Sequence, residues 1–232
     1  MRFLSDTLCD GIRERLFLVD DLPGAVWTPA DTDARLPLIL LGHGGGQHKQ
    51  DPSVVALAHR FARGRFAVAT VDVPAHGDRA PVEAYDRGVD ENRPLHPQIA
   101  ELQAMVARQT VPEWRRVLDA LDDYGPVGYW GVSLGCGLGV PFVAAEPRVR
   151  AAVLGLGGAW ACAEAAARIT VPVEFLIQWD DERVPRDQGL ALFEAFGSSE
   201  KSLHGNPGRH GEFPMFEVDS ALRFFARHLR AA

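Results

Sequence analysis

The sequence predicts an α/β fold with a mostly parallel central sheet of about eight strands, flanked by helices. Short apolar segments alternate along the chain with longer segments whose apolar residues recur every three or four positions. Several of the apolar segments are continuous, which is typical of strands covered by helices on both faces. The 232 residues are enough for one sizeable core, so we expect a single domain over residues 1–232.

The N-terminal half opens with two strands and then alternates. RERLFLV and GAVWTP each hold β-branched or aromatic residues in a short run, and the turn segment DDLPG joins them. LPLILLG and FAVATVDVP are predicted as buried strands, and the helix PSVVALAHRFARG between them ends at Gly64. VPEWRRVLDALDDYG has apolar residues at helical spacing from Trp114 to Leu121 and ends near Gly125.

The C-terminal half continues the alternation. PVGYW is a strand, and the small residues of GLGVPFVAA begin the next helix. VRAAVLGLG and VPVEFLIQW are strands, RDQGLALFEAFG is a helix, KSLHG is a short strand, and FEVDSALRFFARHL closes the chain as an amphipathic helix. Only the short helical segment AWACAEAAARIT separates the sixth and seventh strands, so we expect no large cap after the sixth strand.

Residues 78–112 are too long for a plain connection. They contain charged, proline-bearing sequence followed by the helix-like QIAELQAMVARQ. One interpretation is a solvated excursion with one extra helix. The other is a lid-like cover over a site, because the segment leaves the carboxyl end of a strand, where open α/β sheets bind ligands.

Composition and charge exclude several classes of protein. A formal net charge of −7 argues against a nucleic-acid partner and against an anionic membrane surface. There is no apolar run of about 18 residues, and the first residues lack the apolar core of a signal peptide. Cys9, Cys136 and Cys162 have no spacing typical of disulfides or zinc sites. We therefore expect a cytoplasmic protein with reduced thiols.

The stretch GYWGVSLGCG, residues 128–137, contains the pattern G-x-S-x-G around Ser133. Glycines two residues to either side suit a sharp strand-to-helix turn, where larger side chains would collide. This pattern is typical of the nucleophile elbow, which presents a serine hydroxyl at the start of a helix. A serine hydroxyl needs a neighbouring base to react, and the base needs a carboxylate to orient it.

Four further stretches lie in the order along the chain that such a site needs. LGHGGGQHK follows the third strand, VDVPAHGDR follows the fourth, and FLIQWDDERVP and HGNPGRHGEFP supply acids and a histidine late in the chain. Together with the elbow they resemble the α/β-hydrolase superfamily, nearest in pattern to its small dienelactone-hydrolase-like and carboxylesterase branches. The resemblance extends over nearly the whole chain.

The resemblance implies a catalytic triad of Ser133, Asp181 and His210. Aligning the V-P dipeptide after the seventh strand places the acid at Asp181. Gln178 stands where these relatives carry glycine, so Asp180 stays an alternative. His210 lies in the glycine-rich loop in which the family carries its base.

The resemblance also implies an oxyanion hole made by the backbone N–H groups of Gly45 and Leu134, with Gly46 as the alternative to Gly45. We interpret His43 as a structural residue that braces this loop. In VDVPAHGDR, Ala75 replaces the first glycine of the family pattern, and Asp72 and His76 are interpreted as turn-forming residues. His204 is interpreted as a packing or supporting residue.

These observations predict a carboxylic ester hydrolase that acts on a small soluble substrate through an acyl-enzyme on Ser133. Gln47, His48 and Trp160 are candidates for substrate contact, and Trp160 is equally compatible with a core position. No metal or organic cofactor is required. Dienelactone hydrolases usually carry cysteine at the nucleophile position, so Ser133 argues against that particular activity.

Other functions stay open from the sequence. A thioesterase, a lactonase or a peptidase could use the same triad. A non-catalytic small-molecule-binding protein of this fold is the alternative from another class. The sequence does not decide the oligomeric state, and a homo-oligomer is compatible with it.

Overall fold

The computed structural model describes residues 1–32, 34–80, 97–160 and 162–230. For residues 97–101 it describes the backbone only. Ten strands are described: β1 Arg2–Phe3, β2 Thr7–Cys9, β3 Ile12–Val19, β4 Leu22–Pro29, β5 Leu38–Gly42, β6 Ala67–Val71, β7 Val127–Val132, β8 Val149–Gly155, β9 Val173–Gln178 and β10 Lys201–Asn206. The helices described are α1 Pro52–Arg63, α2 Pro97–Ala120, α3 Leu134–Ala145, α4 Ala163–Ala166, α5 Arg186–Ala195 and α6 Phe216–Leu229.

All ten strands form one sheet in the order β1-β3-β4-β6-β5-β7-β8-β9-β10, with β2 paired to β3. The strands from β6 to β10 along this order are parallel, whereas β1, β2, β3 and β4 pair antiparallel. The predicted α/β class with a mostly parallel sheet is therefore confirmed. Strands β1 and β2 were not predicted, because their residues are exposed and give no burial pattern.

The sheet is covered on both faces, and β7 shows how the sequence achieves this. Tyr129 points to the layer of helices α2 and α3, where it contacts Trp114 and Phe142. Its neighbour Trp130 points to the layer of α1 and α6 and contacts Phe61. Because successive strand residues face opposite sides, a strand buried on both faces needs the continuous apolar run that the sequence has.

Helix α2 replaces two predicted helices with one. It continues through Pro112, which lies at the boundary between the two predicted segments. Buried residues on both sides of the proline, including Val106 and Trp114, belong to one core cluster. Of the predicted excursion over residues 78–112, residues 97–112 belong to α2, whereas residues 81–96 lie outside the described part. The lid interpretation stays a prediction.

The connection between β8 and β9 contains only the four-residue helix α4, so the expectation of no large cap there is confirmed. The helix is shorter than the predicted AWACAEAAARI segment. Cys136 and Cys162 are buried free thiols near this connection, and Cys9 is an exposed one. Within the described residues, the structure contains no helix of the length and apolar character that crossing a membrane requires.

Candidate active site

Ser133 occupies the turn between β7 and α3 with a strained backbone. Its φ of 57° and ψ of −118° lie in a region that non-glycine residues rarely adopt. A Cβ at Gly131 would lie 2.4 Å from the carbonyl oxygen of Gly135, and a Cβ at Gly135 would lie 2.3 Å from that of Gly42. The two glycines of the motif are therefore required by close backbone contacts.

The side chains of Ser133, His210 and Asp181 form a continuous hydrogen-bonded chain. The distance from Ser133 Oγ to His210 Nε2 is 2.8 Å, and His210 Nδ1 lies 2.8 Å from Asp181 Oδ2. The imidazole and the carboxylate are both nearly buried. With the Nδ1 proton donated to Asp181, Nε2 is free to accept the serine proton.

Asp181, rather than Asp180, is the carboxylate that faces His210. Its second oxygen, Oδ1, accepts hydrogen bonds from the backbone N–H groups of Arg183 and Val184, both at 2.8 Å. These bonds fix the carboxylate and leave Oδ2 for the imidazole. Asp180 instead accepts a bond from the backbone N–H of Gly208 at 3.3 Å.

Two residues beside the acid hold the loop that carries His210. Glu182 accepts a hydrogen bond from the backbone N–H of His210 at 3.0 Å, and this bond lowers the pKa of the Glu182 carboxyl. The side-chain amide of Gln178 donates to the carbonyl oxygens of Pro207 and Arg209. The departure from the family pattern at Gln178 thus supplies a support for the histidine loop. Neither contact could be predicted from the sequence.

His43 braces the loop after β5, as the sequence predicted. Its Nδ1 donates to the carbonyl oxygen of Gly44 at 2.9 Å, and its Nε2 accepts from the backbone N–H of Val73 at 3.3 Å. The ring packs against that of His76, with 5.2 Å between centroids. Burial lowers the pKa of His43 to about 4, so the ring is neutral near pH 7 and keeps this tautomer.

Gln47 shapes the glycine loop from within. Its Oε1 accepts from the backbone N–H of Gly44 at 2.7 Å, and its Nε2 donates to Ser53 Oγ at 2.6 Å. Gly45 is exposed, and a Cβ there would meet nothing within 4 Å. Gly46 has a φ of +75°, which favours glycine. The N–H of Gly44 is thus engaged inside the loop, while Gly45 borders open space.

A buried ion pair that was not predicted from the sequence links the loops after β5 and β6. Lys49 Nζ lies 2.8 Å from Asp72 Oδ2 and 2.6 Å from Asp78 Oδ2. Asp72 also accepts from the backbone N–H groups of Lys49 and Asp78. Burial opposes both charges, but the hydrogen bonds between them outweigh it and lower the pKa of Asp72. Asp72 forms its turn, as predicted, and anchors the glycine loop as well.

Once this geometry is compared with solved structures, the family is clear. A cold-adapted esterase from an Arctic intertidal metagenomic library, solved as a PEG-bound complex, is 30% identical to this chain. The alignment covers 99% of this chain and 100% of the esterase, with a TM-score of 0.84. The chain belongs to the α/β-hydrolase superfamily.

Solved structures with lower sequence identity share the fold. Acetyl xylan esterase from Paenibacillus sp. R4 is 16% identical, with 98% of this chain and 88% of that one covered and a TM-score of 0.72. A predicted CIB-like hydrolase from Thermoplasma acidophilum is 18% identical, with 93% and 98% covered and a TM-score of 0.70. At these identities the likeness shows the fold alone. No protein-family model matches the chain, and no curated protein sequence matches it.

This α/β hydrolase has an apolar cavity of about 270 Å³ against the glycine loop. The cavity lies between the loop, the start of α1 and the segment that follows His210. Its lining includes Leu41, Val54, Leu57, Trp130, Val132 and Phe213. Because Val132 immediately precedes Ser133, the cavity borders the elbow.

The three predicted substrate-contact residues have different surroundings in the hydrolase. Gln47 lines the apolar cavity, although its amide is engaged by the loop. His48 is half-buried, and its Nδ1 accepts from the backbone N–H of Gln50. Trp160 is half-buried beside Gly158. Contact of any of them with a substrate stays a prediction.

Proposed function

We propose that this α/β hydrolase is a serine esterase that cleaves a carboxylic ester of a small soluble substrate through an acyl-enzyme on Ser133. The observation that carries the proposal is the hydrogen-bonded chain Ser133–His210–Asp181 at the elbow. The 30% identity to an esterase over essentially the whole of both chains supports ester hydrolysis as the reaction.

In the proposed acylation step, His210 Nε2 takes the proton of Ser133 as Oγ attacks the ester carbonyl carbon. Asp181 stabilises the imidazolium that forms, through the 2.8 Å contact at Nδ1. The backbone N–H groups of Gly45 and Leu134 bind the oxyanion of the tetrahedral intermediate. The intermediate collapses when the C–O bond to the alcohol breaks and the imidazolium gives its proton to the leaving oxygen.

Deacylation repeats these steps with water. His210 takes a proton from a water molecule, whose oxygen attacks the acyl carbon. The second tetrahedral intermediate expels Ser133 Oγ, which regains its proton from the imidazolium, and the carboxylic acid leaves. Apart from the substrate and this water molecule, both steps use only side chains and backbone groups of the chain.

The substrate that we propose is small because two features restrict its size. The connection between β8 and β9 is short, so no cap domain extends the site there. The cavity of about 270 Å³ is slightly smaller than the usual ligand pocket of roughly 300–1,000 Å³, and its lining is largely apolar. A short acyl or alkyl group would fit such a cavity, with Gln47, His48 and Trp160 as further contacts.

The test is covalent labelling with a fluorophosphonate, followed by intact-mass measurement and peptide mapping. We expect a single adduct on Ser133 in the wild type and no adduct on Ser133→Ala. A panel of p-nitrophenyl esters of increasing acyl length, with matched thioesters and lactones, then identifies the substrate class. Faster turnover of thioesters or lactones would replace the ester assignment. A folded wild type that forms no adduct and hydrolyses nothing would favour a binding protein.

A further inference from the structure

A second cluster of titratable side chains lies under helix α6, outside the Ser133–His210–Asp181 chain. Glu174 is in β9, His204 is in β10, and Glu217 is in the first turn of α6. The two glutamates are 4% and 3% exposed, so both carboxylates are buried. Buried acidic side chains are rare unless a cation or hydrogen-bond donors compensate them.

Neighbouring groups compensate the buried carboxylate of Glu174 only in part. Its Oε2 accepts from Ser220 Oγ at 3.0 Å, but its Oε1 has no hydrogen-bond partner among the described residues. The charge of Arg223 favours the Glu174 carboxylate, yet Arg223 is exposed. Among the described residues, the ion-pair contact of Glu174 is with His204, whose Nε2 lies 3.7 Å from Oε2. A buried carboxylate oxygen without a donor needs an explanation.

Glu217 fixes the orientation of the His204 ring. His204 Nδ1 donates to Glu217 Oε2 at 2.7 Å, and the other oxygen of Glu217 accepts from the Asn206 amide at 2.9 Å. With the proton on Nδ1, the lone pair of Nε2 faces Glu174, whose Oε2 lies 3.7 Å away. A carboxylate that orients a histidine in this way is the usual support of a histidine that binds a metal.

The spacing and the donor types fit one class of ion. Two ligand atoms bound to a tetrahedral zinc ion at about 2.0–2.2 Å lie roughly 3.4 Å from each other. His204 Nε2 and Glu174 Oε2 are 3.7 Å apart, so a small movement toward each other brings them to this separation. A nitrogen donor beside a carboxylate favours Zn²⁺ and similar transition metals over Mg²⁺ or Ca²⁺. The His204 side chain is 27% exposed, which leaves a path for the ion and for water ligands.

We propose that Glu174 and His204 Nε2 bind a divalent transition-metal ion of the Zn²⁺ class, with Glu217 as the positioning residue and water completing the coordination. The ion has a structural role, because it cross-links α6 to β9 and β10. These two strands lead directly into the segments that carry Asp181 and His210. The site is separate from the proposed hydrolysis, and its test does not depend on activity.

The test begins with chelator-treated full-length protein, titrated with ZnCl₂ by calorimetry and followed by thermal unfolding. We expect one saturable high-affinity ion per chain and a rise in Tm of about 3 °C or more when zinc is in tenfold excess over its Kd. His204→Gln and Glu174→Gln should each weaken binding by at least about tenfold and remove the rise in Tm. Glutamine has nearly the same shape as glutamate, so Glu174→Gln is expected to fold. If His204→Gln does not fold, zinc binding by Glu174→Gln decides the test.

Matched variants separate this site from other histidines. His210→Gln removes the imidazole of the Ser133 site, and His59→Gln removes a half-buried histidine on α1. Both should bind zinc as the wild type does. The proposal is overturned if the wild type shows no saturable zinc binding, or if the two cluster variants bind zinc unchanged. Loss of binding in His210→Gln would also overturn it, because the ion would then lie at the Ser133 site.

Discussion

The ammonium group of Lys49 lies 2.8 Å from the carboxylate of Asp72 in the interior of the protein. Lys49 is 3% exposed, and Asp72 is fully buried. Through this contact the loop after β5, which carries Gly44 and Gly45, is tied to the loop after β6. The position of the glycine loop therefore depends on a charge pair as well as on its own backbone.

Asp72→Asn should destabilise the protein strongly. The substitution keeps the shape but leaves the buried Lys49 charge with only the exposed Asp78 as a partner. Breaking one side of a buried pair costs about 3 kcal/mol of unfolding free energy. Urea unfolding measures this cost, and we expect kcat to fall as the glycine loop loses its anchor.

The control for Asp72→Asn is Asp219→Asn, which removes an exposed ion pair with Arg60. Exposed pairs contribute less than about 1 kcal/mol. If the two variants lost equal unfolding free energy, the buried pair would not have the anchoring role assigned to it.

His43 should make stability depend on pH. Its pKa is lowered by burial from 6.5 to about 4 in the folded protein. The unfolded chain therefore takes up a proton below about pH 6.5 while the folded protein does not. The contribution of neutral His43 is complete above pH 6.5 and is lost as pH falls toward 4, by about 3 kcal/mol in total.

Urea unfolding between pH 7 and pH 4 tests this dependence. The wild-type unfolding free energy should fall more steeply with decreasing pH than that of His43→Gln, which has no titrating ring. An NMR titration of the imidazole resonances is an independent measure. Equal slopes for the two proteins, or protonation of the folded His43 near pH 6.5, would contradict the prediction.

The neighbouring aspartates Asp181 and Asp180 should differ sharply in their effect on turnover. Asp181→Asn removes the acceptor that fixes the His210 tautomer, so kcat for a p-nitrophenyl ester should fall by a factor on the order of 10⁴. Asp180→Asn changes only a 3.3 Å contact to the Gly208 backbone, and kcat should stay within about threefold of the wild type. A larger loss at Asp180 would reverse the assignment of the acid.

Features that depend on local sequence patterns could be predicted for this protein. Continuous apolar strands, helical periodicity and the glycines around Ser133 each follow from local geometry, and the structure has all of them. The family resemblance, rather than local geometry, indicated Asp181 as the acid, because its V-P dipeptide aligns after β9, and Asp180 stayed an alternative until the contact with His210 was seen.

Contacts between distant segments could not be predicted in the same way. Lys49 and Asp72 are 23 positions apart, and nothing in either local pattern indicates that they meet. The contacts of Gln178 with the His210 loop depend on the register of β9 against β10, which pairs Gln178 with Asn206. The cluster of Glu174, His204 and Glu217 likewise forms only after α6 packs on the sheet.

The glycines of helix α3 provide the last prediction. A Cβ at Gly135 would lie 2.3 Å from the carbonyl oxygen of Gly42. This oxygen belongs to the backbone and cannot move aside as a side chain can, and Gly42 directly precedes the glycine loop. The atoms nearest to a Cβ at Gly137 belong to the end of the flexible Gln103 side chain, the closest at 2.6 Å. Gly135→Ala should therefore force β5 and α3 apart, whereas Gly137→Ala requires one side chain to move.

We expect Gly135→Ala to lose about 1–3 kcal/mol of unfolding free energy and Gly137→Ala less than about 1 kcal/mol. Because β5 leads into the loop with Gly45, Gly135→Ala should also lower kcat by at least about tenfold. Complete loss of one oxyanion-hole donor would lower kcat by about 10²–10³. Thermal unfolding and ester turnover of the pair measure both effects. Equal behaviour of the two variants would show that the spacing between Gly42 and Gly135 does not control the elbow.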